Sequence, residues 1–167
     1  MEKEITEVYC GNGRGKTTLA IGQALRASSQ GKSVIIIQFL KGNERRELDF
    51  LEELDQLDIK IFRFEKMESC YDQLNEEEQV EEERNILNGL NFARKVIATQ
   101  ECDFLVLDEI LGLLDKHIAT VDMVVGLLKQ KDESMHLILT GNRVDPGILD
   151  YVDSVTTITT LGREQNS

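Results

Sequence analysis

Short apolar runs alternate along the chain with longer segments whose apolar residues recur at helical spacing. Residues 5–10, 34–39, 104–107 and 136–140 are near-continuous apolar runs. That pattern belongs to strands covered on both faces of a parallel sheet. Residues 59–64 alternate apolar and polar, which predicts a strand with one wet face. A threonine-rich stretch at 154–160 reads as a final strand. Helical spacing fills the gaps. Leu19, Ala20, Ile21, Ala24 and Leu25 mark a helix over about 16–30 that Gly31 stops, and Leu48, Leu51 and Leu54 mark one over about 44–56.

A long helix starts near Asn75, with that residue as its cap and Glu76 and Glu77 in its first turn. Its stripe is expected along Val80, Leu87, Leu90, Arg94 and Ile97, widened by Ile86, Ala93 and Val96. The run 76–83 holds six glutamates in eight residues and reads as the solvated start of this helix. Shorter helices are predicted at 110–115, from the cap Thr120 to about 130, and from Asp145-Pro146 to about Tyr151. Residues 65–74 have no period and read as a loop. Strand and helix alternate throughout, which predicts an α/β fold with a mostly parallel sheet of about six strands and helices on both faces.

The first strand–helix junction carries the chemistry. Tyr9-Cys10-Gly11-Asn12-Gly13-Arg14-Gly15-Lys16-Thr17-Thr18 joins a strand to a helix through glycines. Strand, glycine-rich turn and helix form the context of a phosphate-binding loop. Glycines let backbone N–H groups approach an anion, the helix N-terminus adds partial positive charge, and Lys16 adds a full one. Thr17 is placed to bind Mg²⁺. The spacing is one residue short: the first glycine of the usual pattern would fall at Cys10. A P-loop (RecA-like) nucleotide-binding domain spanning 1–167 follows as the expected architecture.

Composition narrows the surroundings. The net charge of −12 argues against a general nucleic-acid or acidic-membrane partner, since either needs a positive face. No apolar run approaches the ~20 residues of a membrane span, and Met1-Glu2-Lys3-Glu4 does not open a signal peptide, so a cytoplasmic location is expected. The cysteines at 10, 70 and 102 lack metal-ligand spacing and read as reduced thiols.

In open parallel sheets, ligands bind beyond the carboxyl ends of the strands. Besides the loop, the strand ends offer Gln38 to Gly42, Asp108-Glu109, and Thr140 to Arg143. Four apolar residues followed by Asp108-Glu109 match the second phosphate-motif element, in which the acid binds Mg²⁺. Lys41 and Arg143 are read either as neutralising triphosphate oxygens or a substrate carboxylate, or as surface charges. Thr140 and Asn142 are candidate hydrogen-bond donors to a ligand, although Gly141-Asn142 is also ordinary turn chemistry. His117 and His136 stand isolated, and Cys10 reads as a small core residue.

In this order the pieces resemble the short P-loop type ATP:corrinoid adenosyltransferases. The resemblance rests on 11–18, on Gln38-Phe39-Leu40-Lys41-Gly42 with Glu44-Arg45, on Val106-Leu107-Asp108-Glu109, and on Leu139-Thr140-Gly141 with Pro146 and Asp153-Ser154-Val155. The shortened loop is the form of this family. The resemblance implies transfer of the 5′-deoxyadenosyl group of ATP to the Co(I) of a corrinoid, with triphosphate leaving. It implies catalytic roles for Lys16 and Lys41, and ATP contacts from Gly11, Asn12, Gly13, Arg14, Gly15, Lys16, Thr17, Thr18, Gln38 and Arg143. It further implies Mg²⁺ or Mn²⁺ on Thr17, Asp108 and Glu109, and Met67, Cys70 and Tyr71 in a corrinoid-side loop. A homodimer and a flavoprotein reductase that supplies Co(I) are implied as partners.

Two departures stand out. Many relatives carry a Phe-x-Trp pair in that loop, where this chain has Cys70-Tyr71 and no Trp. Relatives also continue past the last strand with a Lys-His-containing tail, where this sequence has residues 161–167, so part of the usual active-site cover is expected to be missing or supplied by a partner chain. The competing readings are another P-loop NTPase or small-molecule kinase, attacking the γ-phosphate, and a non-catalytic ATP- or corrinoid-binding relative. Products separate the three: triphosphate, diphosphate with a transferred phosphoryl group, or no turnover.

Overall fold

Among the described residues six short strands form one sheet in which every neighbouring pair is parallel. The computed structural model describes residues 3–40, 51, 53–54, 56–64 and 71–162. The strands are β1 (Thr6–Cys10), β2 (Val34–Gln38), β3 (Ile59–Arg63), β4 (Phe104–Asp108), β5 (His136–Thr140) and β6 (Ser154–Thr157). Their order across the sheet is β3-β2-β4-β5-β1-β6. Among the described residues the helices are α1 (Lys16–Ser29), α2 (Glu76–Thr99), α3 (Ile110–Asp115), α4 (Val121–Gln130) and α5 (Pro146–Leu149), with a 3₁₀ turn at Tyr71–Gln73. The predicted helix at 44–56 falls almost wholly outside the described residues. Of its expected stripe, Leu51 is buried and Leu54 is exposed.

The central strands divide their side chains between two cores, while β6 at the sheet edge stays largely exposed. Tyr9, Val34, Ile36, Ile59, Phe104, Val106 and Ile138 pack against Ala20, Ile21, Ala24 and Ala27 of α1. The alternate positions Val8, Ile35, Ile37, Leu105, Leu107, Leu137 and Leu139 belong to the core that α2, α3, α4 and α5 cover. A strand buried on both faces has no polar side to show, so period two disappears from its sequence. Fully burying one such aliphatic side chain is worth roughly 1.5–3 kcal/mol.

The stripe of α2 is rotated from the expected one. Ile86, Gly89, Leu90, Ala93, Val96 and Ile97 are buried. Val80 and Leu87 are 58% and 36% exposed, and Arg94 lies outside. Leu87 sits one residue, about 100° of helix, past the buried Ile86. Gly89 explains the setting: a Cβ there would stand 2.7 Å from Phe64 Cγ and 2.9 Å from Phe39 Cε1, so the helix lies directly on two rings. The glutamate run also departs from expectation at one position, since Glu82 is 4% exposed. Asn75 caps α2 as expected, and Glu78 closes a full capping box with it. At the other end of the chain α5 stops at Leu149, short of Tyr151, and β6 ends at Thr157 rather than Thr160. No described helix is long and apolar enough to cross a membrane.

Candidate nucleotide-binding site

Strand order decides which loops meet at the carboxyl edge of the sheet. β1 lies between β5 and β6, and β5 separates β1 from β4. The loop after β1 therefore faces the tip of β5, with the end of β4 beyond it. Gly11 (φ +105°) and Gly15 (φ +100°) both take left-handed backbone, which a side chain resists. Gly15 caps α1 without any side-chain cap bond. The first-turn amides of a helix have no partner within it, so those of α1 face the loop with their share of the helix dipole.

Lys16 turns back over the loop. Its ammonium donates to Gly11 O at 2.6 Å, Gly13 O at 3.1 Å and Asn142 Oδ1 at 3.2 Å. Asn142 also accepts the Gly11 N–H on its own carbonyl at 2.9 Å, so the tip of β5 holds both ends of the loop. A cavity of about 520 Å³ opens beside it, lined by Gly13, Arg14, Gly15, Lys16, Thr17, Thr18 and Glu109. Asn12 is exposed at the loop tip.

Below the cavity a polar network runs through the buried edge of the sheet. Thr17 donates to Asp108 Oδ1 at 3.0 Å, and Thr140 donates to the same oxygen at 2.7 Å. Gln38 donates to Asp108 Oδ2 at 3.2 Å, and its own oxygen accepts from Arg63 Nε at 3.0 Å. Thr140 Oγ1 also accepts the Glu109 N–H at 2.8 Å. That bond holds Glu109 in left-handed backbone (φ +64°), a conformation that costs a non-glycine residue on the order of 1 kcal/mol or more and concentrates at functional sites. Gln38, Asp108 and Thr140 are all fully buried. An acid at that depth is sustained by the donors around it.

The structure thus brings together Gly11, Gly13, Gly15, Lys16, Thr17, Gln38, Asp108 and Glu109, with Arg14 and Thr18 on the cavity wall. Arg143 goes elsewhere. Its side chain is 81% exposed and donates to Asp115 at 3.1 Å. It lines a second cavity of about 480 Å³ between α3, the start of α4 and the loop before α5. Gln38 is spent on Asp108 and Arg63 and lies beneath the cavity rather than on its wall. Tyr71 sits in the 3₁₀ turn and donates to Glu83 of α2. The Lys116 ammonium stands 5.7 Å from its ring centre while binding Asp72 at 2.7 Å. Burial, and then Glu83, push the Tyr71 phenol up to about 12. Lys41, Met67 and Cys70 lie outside the described residues. Cys10 is buried, its Sγ 3.6 Å from Thr157 Oγ1, and both Cys10 and Cys102 are free thiols.

Two contributors escaped the sequence pattern. Ile158 O accepts the Gly13 N–H at 2.9 Å, and Thr160 Oγ1 accepts the Arg14 N–H at 2.8 Å. They lie 145 and 146 positions along the chain from the residues they hold, and no local signal links them to the loop.

Residues 2–165 match the protein family described as ATP:corrinoid adenosyltransferase BtuR/CobO/CobP. The chain is 30% identical over 160 residues to a corrinoid adenosyltransferase of Escherichia coli K12, covering 93% of this chain and 76% of that protein. It is 28% identical over 158 residues to a corrinoid adenosyltransferase of Salmonella typhimurium, at the same coverage. Among solved structures, a KaiC-like protein of Pyrococcus horikoshii superposes with a TM-score of 0.61 at 19% identity, over 98% of this chain and 76% of that one. At that identity the likeness speaks for the RecA-like fold alone.

Proposed function

The chain belongs to the ATP:corrinoid adenosyltransferase family, and on that premise we propose that its site transfers the 5′-deoxyadenosyl group of ATP to the Co(I) centre of a corrinoid substrate. The cobalt electron pair forms a bond to C5′, the C5′–O bond breaks, and its electrons leave on triphosphate. Nucleophile and leaving group both come from the substrates, so the protein needs neither a side-chain nucleophile nor a base. Its task is to align the two reactants and to neutralise the charge that gathers on the leaving oxygens.

The observation that carries this reading is one cavity at the carboxyl edge of the sheet lined by Lys16, the start of α1 and Glu109, with Thr17 joining it to Asp108 and Thr140 beneath. Lys16 would exchange its two loop carbonyls and the Asn142 side-chain oxygen for phosphate oxygens at little cost, since both sets are acceptors. Thr17, Asp108 and Glu109 supply a hard oxygen set that fits Mg²⁺ or Mn²⁺, which typically takes one or two carboxylates and completes its shell with phosphate and water. Bound there, the cation would add positive charge to the triphosphate. Thr140 and Gln38 orient Asp108, and the Thr140 bond to the Glu109 N–H orients the second carboxylate. Met67, Cys70 and Tyr71 belong to this reading as the corrinoid-side groups and Lys41 as a second catalytic charge, whereas Arg143, held by Asp115 at the other cavity, does not. A homodimer, a cytoplasmic setting and a flavoprotein reductase that delivers Co(I) complete it.

The test is incubation with ATP, Mg²⁺ and chemically reduced Co(I) corrinoid, followed by the corrinoid spectrum and triphosphate analysis. A light-sensitive adenosylated product with one triphosphate per turnover is expected. Lys16→Ala should lower turnover by about a hundred- to a thousandfold, the range for removing one charge-stabilising group. Diphosphate in place of triphosphate, or ATP binding without any product, would overturn the reading.

A further inference from the structure

The pairing of β6 with β1 ends at Cys10 and Thr157, but the chain beyond it does not leave the site. Ile158 N–H donates to Cys10 O at 2.8 Å and carries the ladder one step further. Ile158 O then accepts from Gly13 N at 2.9 Å, and Thr160 Oγ1 accepts from Arg14 N at 2.8 Å. Backbone meets backbone closely here. A Cβ on Gly11 would stand 2.3 Å from Ile158 O, and one on Gly13 would stand 2.6 Å from that oxygen and 2.8 Å from Thr160 N. A Cβ on Gly15 meets nothing within 4 Å. Gly11 and Gly13 therefore make room for this segment, while Gly15 answers only to its backbone angle.

We propose that residues 158–160 are a standing strap of the phosphate loop and that Thr160 is a positioning residue for it. The loop amides fall into two sets. Gly11, Gly13 and Arg14 are tied to Asn142, Ile158 and Thr160. The amides from Gly15 to Thr18, at the start of α1, form the second set, which with Lys16 would receive phosphate oxygens. A loop one residue short has less backbone to hold its own shape, and the strap supplies the missing stiffness from outside. Thr160 touches no substrate in this arrangement. It acts through Arg14 N, fixing the loop before the nucleotide arrives. The role in turnover rests on the adenosyltransferase reading, whereas the role in nucleotide binding does not.

The test is direct calorimetric binding of MgATP and of inorganic triphosphate to the full chain, with no corrinoid present. Thr160→Val removes the acceptor at nearly constant volume, and Thr160→Ser retains it. The valine variant should bind both ligands about three- to tenfold more weakly, the scale of one hydrogen bond. The serine variant should bind within about twofold of the parent, and both melting temperatures should stay within about 2 °C, because position 160 is exposed. Gly13→Ala drives a Cβ into the strap, so adding Thr160→Val to it should weaken binding little further. Unchanged or tighter binding by the valine variant would overturn the proposal, as would fully additive losses or a loss that serine fails to rescue. If the parent binds ATP but forms no adenosylated corrinoid, the proposed function fails while the strap is still tested by binding.

Discussion

Thr140 is the residue on which the site geometry turns. Its hydroxyl donates to Asp108 and accepts from the Glu109 N–H, so one oxygen sets both candidate metal-binding carboxylates. Thr140→Val keeps the shape and deletes both bonds. Leaving a buried donor and acceptor unsatisfied costs about 1–3 kcal/mol. The expected outcome is a loss of that size in urea denaturation, with adenosyl transfer falling by a larger factor than ATP affinity, read from initial rates against binding. Equal wild-type stability would show that the network does not depend on this hydroxyl. The sequence placed Thr140 at a strand end as a ligand donor. That it is instead turned to Asp108 and Glu109 follows only once β5 is known to lie between β1 and β4.

The helices differ in how much of them local chemistry decides. The Asn75 capping box and the Thr120 and Asp145 caps all form where the residue types called for them, because a cap spans only three or four residues. The buried face of α2 was less legible, because a helix apolar over a wide arc permits more than one stripe, and the rings of Phe39 and Phe64 choose between them. Glycine substitutions should show the difference. Gly22 in α1 and Gly126 in α4 are exposed, and a Cβ on either would meet nothing within 4 Å. Alanine at either should stabilise by about 0.5–1 kcal/mol through helix propensity. At Gly89 the same gain meets contacts of 2.7 Å and 2.9 Å from two rings, and overpacking costs of about 1–3 kcal/mol outweigh it. Thermal unfolding of the three variants should give two increases and one decrease; a stabilised Gly89→Ala would show that the rings yield.

Across the whole molecule, chemistry gathers at one edge of the sheet and structural ion pairing at the other. At the amino edge Glu4 binds Lys32 at 2.5 Å and His136 at 3.1 Å, while Glu7 takes the other ring nitrogen at 2.7 Å. The imidazole stacks on Phe104 with centroids 4.7 Å apart. This cluster ties the approach to β1, the link before β2 and the start of β5. The Lys32 hydrogen bond, opposed by burial and aided by His136, holds the Glu4 carboxyl below its ordinary 4.5. A carboxyl lowered on folding stabilises fully above its unfolded value and loses that contribution as pH falls through its folded one. The stability gap between the parent and Glu4→Gln should therefore be complete at neutral pH and shrink progressively on acidification below the ordinary 4.5. Chemical denaturation at a series of pH values reads it. A gap that persists in acid would assign it to packing instead of charge.

The parallel α/β class, the strand set, the phosphate loop and the acid pair are legible before any folding, because each is written in a window of about ten residues or fewer. Periodicity, caps and glycine placement act over that range, and a motif also carries its family with it. What neighbours what was decided only by the tertiary structure. The order β3-β2-β4-β5-β1-β6 put Thr140 between the loop and Asp108, sent Arg143 to Asp115 and a different cavity, and laid Ile158 and Thr160 across the loop glycines. Those contacts join residues tens to more than a hundred positions apart, and chain distance carries no information about them until the strands have paired.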